Sequence, residues 1–228
     1  TVETIDLSEI YGQMDALKDD DAAVKEKLNA ITSYTTTDGV PGAALGKMAK
    51  LGVVVDRFIE ENGLDATAIQ CWTSMEEYFG VVPCTIMSML SNSLKPSACE
   101  VDVTGALSMY ALQLASGSPS ALLDWNNNFA EDPDTCVLFH CSNLPKSVFR
   151  SMRMDYQEII AGSVGKENTY GTCVGVIKPG PLTFARFTTD DTSGRLLSYV
   201  GQGEFTDDAP ETFGGYGVAR IPGLQNLL

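Results

Sequence analysis

The chain contains a single histidine, His140, and few basic residues of any kind. Thirty aspartates and glutamates outnumber fifteen lysines and arginines, so the net charge is −15 at pH 7. Arg150 and Arg153 form the longest basic cluster, and this scarcity argues against nucleic acid or an anionic membrane as a partner. We expect the acidity itself to favour solubility rather than to attract a particular cation.

Long apolar runs and secretory features are equally scarce. No segment approaches about 18 uninterrupted apolar residues, the length of a membrane span, and the N-terminus lacks a charged region followed by an apolar one. The six cysteines mostly lie inside apolar strand or helix patterns rather than in a short-spaced loop framework. These features predict reduced thiols and a cytoplasmic location.

Hydrophobic periodicity predicts an α/β fold for residues 1–150. Two amphipathic helices open the chain, and strands then alternate with helices. Because the predicted strands are apolar throughout, we expect a mainly parallel sheet with flanking helices. The predicted helices are 19–34, 42–62, 83–94 and 103–117, and the predicted strands are 68–72, 97–100, 120–125 and 135–141.

The character of the sequence changes after about residue 155. Helical periodicity disappears, β-branched and aromatic residues become frequent, and turn residues recur at 178–180 and 190–194. We therefore predict an antiparallel β-barrel-like domain at 151–228, too short to be complete. The chain begins without methionine in a strand-like TVETIDL and stops in the apolar IPGLQNLL, so we expect a piece of a longer protein.

The segment TCVLFHC, residues 135–141, is interpreted as a buried strand that ends beside a turn. Successive side chains on a strand point to opposite faces, which places Cys141 away from His140. Cys136 shares the face of His140 but lies roughly 13 Å away at about 3.3 Å per residue, beyond the reach of a shared ion. His140 is therefore either a buried histidine of no chemical consequence or a ligand whose partners come from other strands.

Three consecutive predicted strands end in possible ligands: Glu100, Asp124 and His140. Ligands gather at the carboxyl ends of the strands of a parallel α/β sheet. Two carboxylates and an imidazole suit Mn²⁺, or another divalent cation such as Mg²⁺, better than a thiophilic ion. The alternative is that these residues are polar simply because strands there run out into loops.

Residues beside these three have roles of their own. Asp102 precedes the helical pattern that begins at Val103, and we prefer a helix-capping role for it over ligation. Trp72 and Trp125 close predicted strands, where an indole either stacks on a sugar face, with Asn126 beside it, or packs in the core. Three other cysteines are interpreted as packing residues: Cys71, Cys84 and Cys99.

The segment PSACEVDVTGALSMYALQLASGSPSALLDWNN resembles the L-fucose and L-arabinose isomerase family, especially its fucose-isomerase-like branch. In that family a strand ending in Glu is followed two residues later by Asp, then by a similar helix and a strand ending in Asp. The spacing of 24 positions between Glu100 and Asp124 makes the resemblance fairly specific. It extends over essentially the whole chain through the stretches AIQCW, VLFHCSN, GPLTFARF and GGYGVARIPGL.

The resemblance implies a homo-oligomeric aldose–ketose isomerase in which Glu100 and Asp124 bind Mn²⁺. It places His140 on the ion in the arabinose branch and beside the ion in the fucose branch. It also implies a separate N-terminal domain before Thr1 and another metal-binding histidine beyond Leu228. The chain would then be the middle and C-terminal region of the enzyme, and we expect it to be inactive alone.

The predicted reaction is an ene-diol proton transfer on a pentose or 6-deoxyhexose type sugar. Glu100 and Asp124 are the predicted proton-transfer groups as well as ligands. One rival is a non-catalytic sugar-binding or regulatory relative of the same fold, which the lone histidine would suit. A second rival is a carboxylate-pair hydrolase that uses Glu100 and Asp102 without a metal.

Overall fold

The structure, a computed structural model, describes residues 1–226. Within this range the α-helices are α1 Leu7–Ala16, α2 Ala22–Tyr34, α3 Gly42–Asn62, α4 Ser74–Tyr78, α5 Cys84–Asn92, α6 Val103–Ser116 and α7 Glu158–Val164. The strands are β1 Thr67–Ala68, β2 Ser97–Ala98, β3 Asp124–Asn128, β4 Thr135–His140, β5 Arg153–Tyr156, β6 Tyr170–Val176, β7 Gly180–Asp190, β8 Arg195–Phe205 and β9 Gly215–Arg220. None of these helices combines the length and the apolar character needed to cross a bilayer.

The helices at the N-terminal end bury the largest apolar core of the described chain. Helices α2 and α3 lie where the periodicity predicts them, and α3 ends at Gly63, whose φ of 60° is left-handed. The strand-like reading of the first residues is wrong, because Asp6 caps a helix there by accepting a hydrogen bond from the Ser8 amide. Fully buried residues of this core include Met14, Ile31, Met48 and Val54.

The sheets correct the predicted topology. A mixed fold of helices and sheets is confirmed, but the parallel sheet consists only of β1 and β2, with Thr67 opposite Ser97 and Ala68 opposite Ala98. The main sheet has seven strands, in the order β3-β4-β9-β6-β5 with the β7–β8 hairpin attached to β9. Only its β6–β9 pair is parallel, and the strands of residues 1–226 form no closed barrel.

The apolar pattern of β4 explains the error in strand direction. This strand lies between β3 and β9 and is buried along almost its whole length. A strand covered on both faces is apolar throughout whether its neighbours run parallel or antiparallel, so the pattern cannot reveal direction. The seven-stranded sheet takes strands from both sides of residue 150, and the division into domains 1–150 and 151–228 stays a prediction.

Two glycines let β9 approach the end of β4 closely. Gly214 has a φ of +71°, and a Cβ there would overlap the carbonyl oxygen of His140. A Cβ at Gly215 would overlap the side chain of Ser142. The Gly175 amide on β6 also donates a hydrogen bond to the Gly214 carbonyl at 3.0 Å. The end of β4, the start of β9 and the end of β6 are therefore held close together at His140.

Candidate functional site

A cavity of about 710 Å³ lies between α6, the β3–β4 pair and the β7–β8 hairpin. Its wall includes the three predicted site residues Glu100, Asp124 and His140. Apolar side chains from the hairpin, among them Leu182 and Phe184, form the facing wall. The structure therefore brings the three residues to one cavity although they come from different segments.

Glu100 reaches the cavity from an unusual turn between β2 and α6. Glu100 and Val101 have φ values of 58° and 57°, which is the left-handed region that non-glycine residues avoid. Each such residue costs about 1–3 kcal/mol unless the surrounding structure imposes it. Hydrogen bonds from the Val101 amide to the Ile69 carbonyl and from the Asp102 amide to the Cys99 carbonyl hold this turn.

The pairing of β3 with β4 places Asp124 and His140 at neighbouring positions. Asp124 lies opposite Phe139 in the antiparallel register and is exposed, whereas the neighbouring His140 is only 4% exposed. Burial lowers the pKa of His140, but its contact with Cys141 and the charges of Cys141 and Asp124 outweigh burial, so the net pKa is raised. Of the predicted strand 120–125, only Asp124 and Trp125 belong to β3, whereas residues 120–123 have no regular structure and supply part of the cavity wall.

The thiols near His140 are placed differently from the prediction. The Sγ atom of Cys141 lies 3.7 Å from His140 Nδ1, so the placement of Cys141 on the opposite face is wrong. Strand β4 ends at His140 and the backbone bends at Cys141 and Ser142, which breaks the alternation of faces. Cys99, interpreted as a packing residue, joins this pair: the donor atoms of Cys99, His140 and Cys141 all lie within 4.8 Å of one another.

The contact between Cys99 and Cys141 separates the acidities of the two thiols. It lowers the pKa of Cys141 to about 5, an effect that burial opposes and the contact with His140 strengthens. The same contact raises the pKa of Cys99, as do the contact with Cys71 and burial. Cys141 is therefore the thiol of this group that most readily carries negative charge.

The donors Glu100 and Asp124 suit a hard divalent cation by their chemistry. Neither carboxylate has an ion-pair partner among residues 1–226, unlike Asp102. Free carboxylate oxygens on a cavity wall beside an imidazole are donors that Mn²⁺ and Mg²⁺ accept. The carboxylate oxygens of Glu100 and Asp124 do not belong to the close group of donor atoms formed by Cys99, His140 and Cys141. That His140 binds the same cation as the two carboxylates therefore stays a prediction.

Asp102 caps α6, as the sequence predicts, and is also held by Arg186. Its carboxylate accepts hydrogen bonds from the Gly105 amide at 2.7 Å and the Thr104 hydroxyl at 3.0 Å, and Arg186 Nη1 lies 2.6 Å away. Burial raises the pKa of Asp102, but Arg186 and the Gly105 amide more than compensate, so the net pKa is lowered. A carboxylate held in this way is a poor proton donor, which argues against the hydrolase alternative.

Replacing Asp102 separates its two roles. We expect Asp102→Ala to lower the free energy of unfolding by about 1–2 kcal/mol, because the helix loses its cap and Arg186 its partner. Asp102→Asn should cost less than about 1 kcal/mol, since asparagine caps equally well and only the half-exposed ion pair is lost. Urea denaturation would measure both losses, and equal losses would show that the ion pair, and not the cap, stabilises this helix.

Of the three predicted sugar-binding residues, the structure places one on the cavity wall and two outside it. Trp125 is half-buried on the cavity wall, where its ring meets Phe184 edge-on with 5.2 Å between the ring centroids. Trp72 packs instead against Cys71, Met87 and Cys99, outside the cavity wall. Asn126 is exposed on β3 and does not line the cavity either. Only Trp125 is positioned to touch a molecule bound there.

Comparison with known proteins agrees with the sequence pattern. A family model described as "L-fucose isomerase, C-terminal domain" matches residues 138–228. The resemblance to the fucose-isomerase-like family is confirmed. A sulfoquinovose isomerase from Clostridium sp. (strain MSTE9) is 28% identical over 151 residues, which are 66% of this chain and 33% of that relative. A sulfoquinovose isomerase from Alkalicoccus urumqiensis is 27% identical over 174 residues, 76% of this chain and 38% of the relative.

The chain spans about a third of the length of these curated relatives. The match includes the end of β4 with His140 and all of β5–β9. Glu100 and Asp124 lie before the start of that match, so their assignment depends on the spacing between them and on the shared cavity.

Proposed function

We propose that this chain is part of a metal-dependent aldose–ketose isomerase that holds its sugar in the 710 Å³ cavity. The observation that carries the proposal is the meeting of Glu100, Asp124 and His140 on this one wall. The family match and the two sulfoquinovose isomerases support sugar isomerisation as the activity. A pentose, a 6-deoxyhexose or sulfoquinovose is the proposed substrate, Mn²⁺ or another divalent cation the proposed cofactor, and the protein a cytoplasmic homo-oligomer.

The chain's own residues would perform the proton transfer. Glu100 and Asp124 come from different segments and both line the cavity, so two carboxylates are available to a sugar bound there. One carboxylate accepts the proton from the carbon beside the carbonyl, and a proton is returned to the adjacent carbon. A divalent cation held by Glu100 and Asp124 would stabilise the charge that develops on the two substrate oxygens.

The remaining wall would orient the sugar and exclude water. Trp125 offers an aromatic face, braced by Phe184, against which the apolar face of a sugar ring can pack. Apolar side chains of the β7–β8 hairpin reduce the water content around the reacting carbons, which strengthens electrostatic interactions there. Arg186 keeps Asp102 occupied, so Glu100 and Asp124 remain the carboxylates free to react.

A test combines calorimetric titration with Mn²⁺ and a ketose assay over pentoses, 6-deoxyhexoses, hexoses and sulfoquinovose. We expect the full-length protein to bind Mn²⁺ and convert at least one sugar. The 228-residue chain alone should bind Mn²⁺ weakly and lack turnover, because Glu100, Asp124 and His140 would leave about half of a six-coordinate shell to water.

Two outcomes would contradict these expectations. Tight Mn²⁺ binding with turnover by the 228-residue chain would show that no further segment is needed. A full-length protein that binds a sugar of the panel but converts none, even with Mn²⁺ present, would favour the non-catalytic sugar-binding alternative.

A further inference from the structure

The thiol group beside the cavity has the composition of a binding site for a soft metal ion. Cys99, His140 and Cys141 are 1%, 4% and 6% exposed, and their donor atoms all lie within 4.8 Å of one another. The three residues come from two segments, since Cys99 follows β2 while His140 and Cys141 end β4. Two thiolates and one imidazole are the ligands that Zn²⁺ accepts at bonds of about 2.0–2.3 Å.

The cavity provides an entry path and a fourth coordination position. Cys99 and His140 both line the cavity wall, so an ion can reach the buried donors from that side. Three protein ligands with one open position are the arrangement of zinc sites that bind water or substrate. Cys71 is a poorer fourth ligand, because its Sγ lies 2.7 Å from Cys99 Sγ, whereas two thiolates on one tetrahedral ion stand about 3.8 Å apart.

A buried carboxyl group without a hydrogen-bond partner is a second feature that a cation would stabilise. Glu76 is 0% exposed, and neither of its carboxylate oxygens accepts a hydrogen bond from any residue in 1–226. Burial is the main cause of its raised pKa, and the charge of Cys141 adds to it. An ionised Glu76 would be costly away from water unless a positive charge offset it.

We propose that Cys99, Cys141 and His140 bind a thiophilic divalent cation such as Zn²⁺, at a site separate from the carboxylates Glu100 and Asp124. His140 turns Nδ1 toward Cys141, so this ring nitrogen is available to the thiol site. The fourth position faces the cavity and takes water or a substrate oxygen. The proposal stands on these donors and does not depend on isomerase activity.

The first test uses the full-length protein, stripped of metal with a chelator and kept reduced with a phosphine that binds zinc poorly. Titration with Co²⁺ in place of Zn²⁺ should produce the intense near-ultraviolet absorption of a cobalt–thiolate bond, and Zn²⁺ should abolish it. This spectrum needs no variant, so a folding defect cannot obscure it. Co²⁺ absorption without the thiolate band would overturn the proposal.

Variants then assign the ligands. Cys99→Ser and Cys141→Ser should each weaken Zn²⁺ binding by at least about 100-fold, more than the loss of a residue that merely supports a ligand. Cys136→Ser is the matched control, since Cys136 is a buried cysteine on β4 outside the group. Undiminished Zn²⁺ affinity in both folded ligand variants would overturn the assignment.

Glu100→Gln distinguishes this site from the proposed isomerase site. It should leave the cobalt–thiolate band and the Zn²⁺ affinity unchanged even where it removes turnover. Loss of the thiolate band in Glu100→Gln would show that the two sites are one, contrary to the proposal. If the isomerase assay fails, the cobalt–thiolate band still decides whether Cys99, His140 and Cys141 bind a metal ion.

Discussion

Replacing Glu100 with glutamine in the full-length protein is expected to lower kcat for sugar isomerisation by about 10²- to 10⁴-fold. Glutamine keeps the size of the side chain but can neither accept the proton nor carry the charge that holds a divalent cation. Asp124→Asn should have an effect of the same order, because Asp124 reaches the same cavity from β3. Initial rates of ketose formation at saturating sugar and Mn²⁺ measure both losses.

The stability of these variants separates chemistry from folding. Glu100 and Asp124 are exposed and have no ion-pair partner among residues 1–226, so the free energy of unfolding should change by less than about 0.5 kcal/mol. Glu61→Gln on α3 is the matched control, an exposed glutamate far from the cavity wall. Turnover near the wild-type rate in either site variant would refute the proton-transfer role of that residue.

Glu76 is expected to produce the largest change in stability. Burial raises its pKa from 4.5 to about 7, with smaller contributions from the charges of Glu77 and Cys141. One pKa unit corresponds to about 1.4 kcal/mol, so ionising this carboxyl in the folded protein costs up to about 3 kcal/mol. We therefore expect Glu76→Gln to increase the free energy of unfolding at pH 8 by about 2 kcal/mol in metal-free protein.

The sign of the pH dependence follows from the proton count in each state. Below about pH 4.5 both the folded and the unfolded chain hold the Glu76 proton, so the group has no effect on stability. Between pH 4.5 and about 7 the unfolded chain releases the proton while the folded chain keeps it, and stability falls as the pH rises. Above about pH 7 the loss is complete, and Glu76→Gln should abolish this decline.

Urea denaturation from pH 4.5 to 8 in the presence of a chelator tests the prediction. Glu77→Gln is the control, because Glu77 is the exposed neighbour on the same helix and its charge contributes less than burial to the pKa of Glu76, so the decline in stability with pH should persist. If Glu76→Gln and wild type lost the same stability between pH 5 and 8, Glu76 would be ionised and solvated in the folded protein.

The sequence predicted the helices α2, α3, α5 and α6 but not α1, α4 or α7, and it predicted the sheet poorly. Helices α2 and α3 follow from their apolar spacing together with Asp21 and Gly63 at their ends, all of which are local signals. Strand direction depends on partners far along the chain. The sequence around Cys136 and Ala219 does not indicate that these two residues pair, or in which direction. Strand β3 begins only at Asp124, and the irregular segment before it forms part of the cavity wall.

The site residues were predictable although the premise that each ends a strand holds only for His140, since Asp124 begins β3 and Glu100 follows β2 by two residues. Glu100, Asp124 and His140 could be grouped from their places in the sequence, and all three line the cavity. The thiol group could not, because it requires the bend after His140 and the turn that brings Cys99 beside Cys141. Arg186 was equally invisible, since its partner Asp102 lies 84 positions away.

The pairing of β4 with β9 also orders events during synthesis of the chain. His140 lies opposite Gly215, so the strand that completes its surroundings is translated 75 residues later. At about 5–20 residues per second the ribosome needs roughly 4–15 s to add that stretch. Throughout this interval β4 has one unpaired edge along an apolar strand, the kind of edge that recruits other chains. Nascent chains should therefore be most vulnerable to misassociation just before GGYGV emerges.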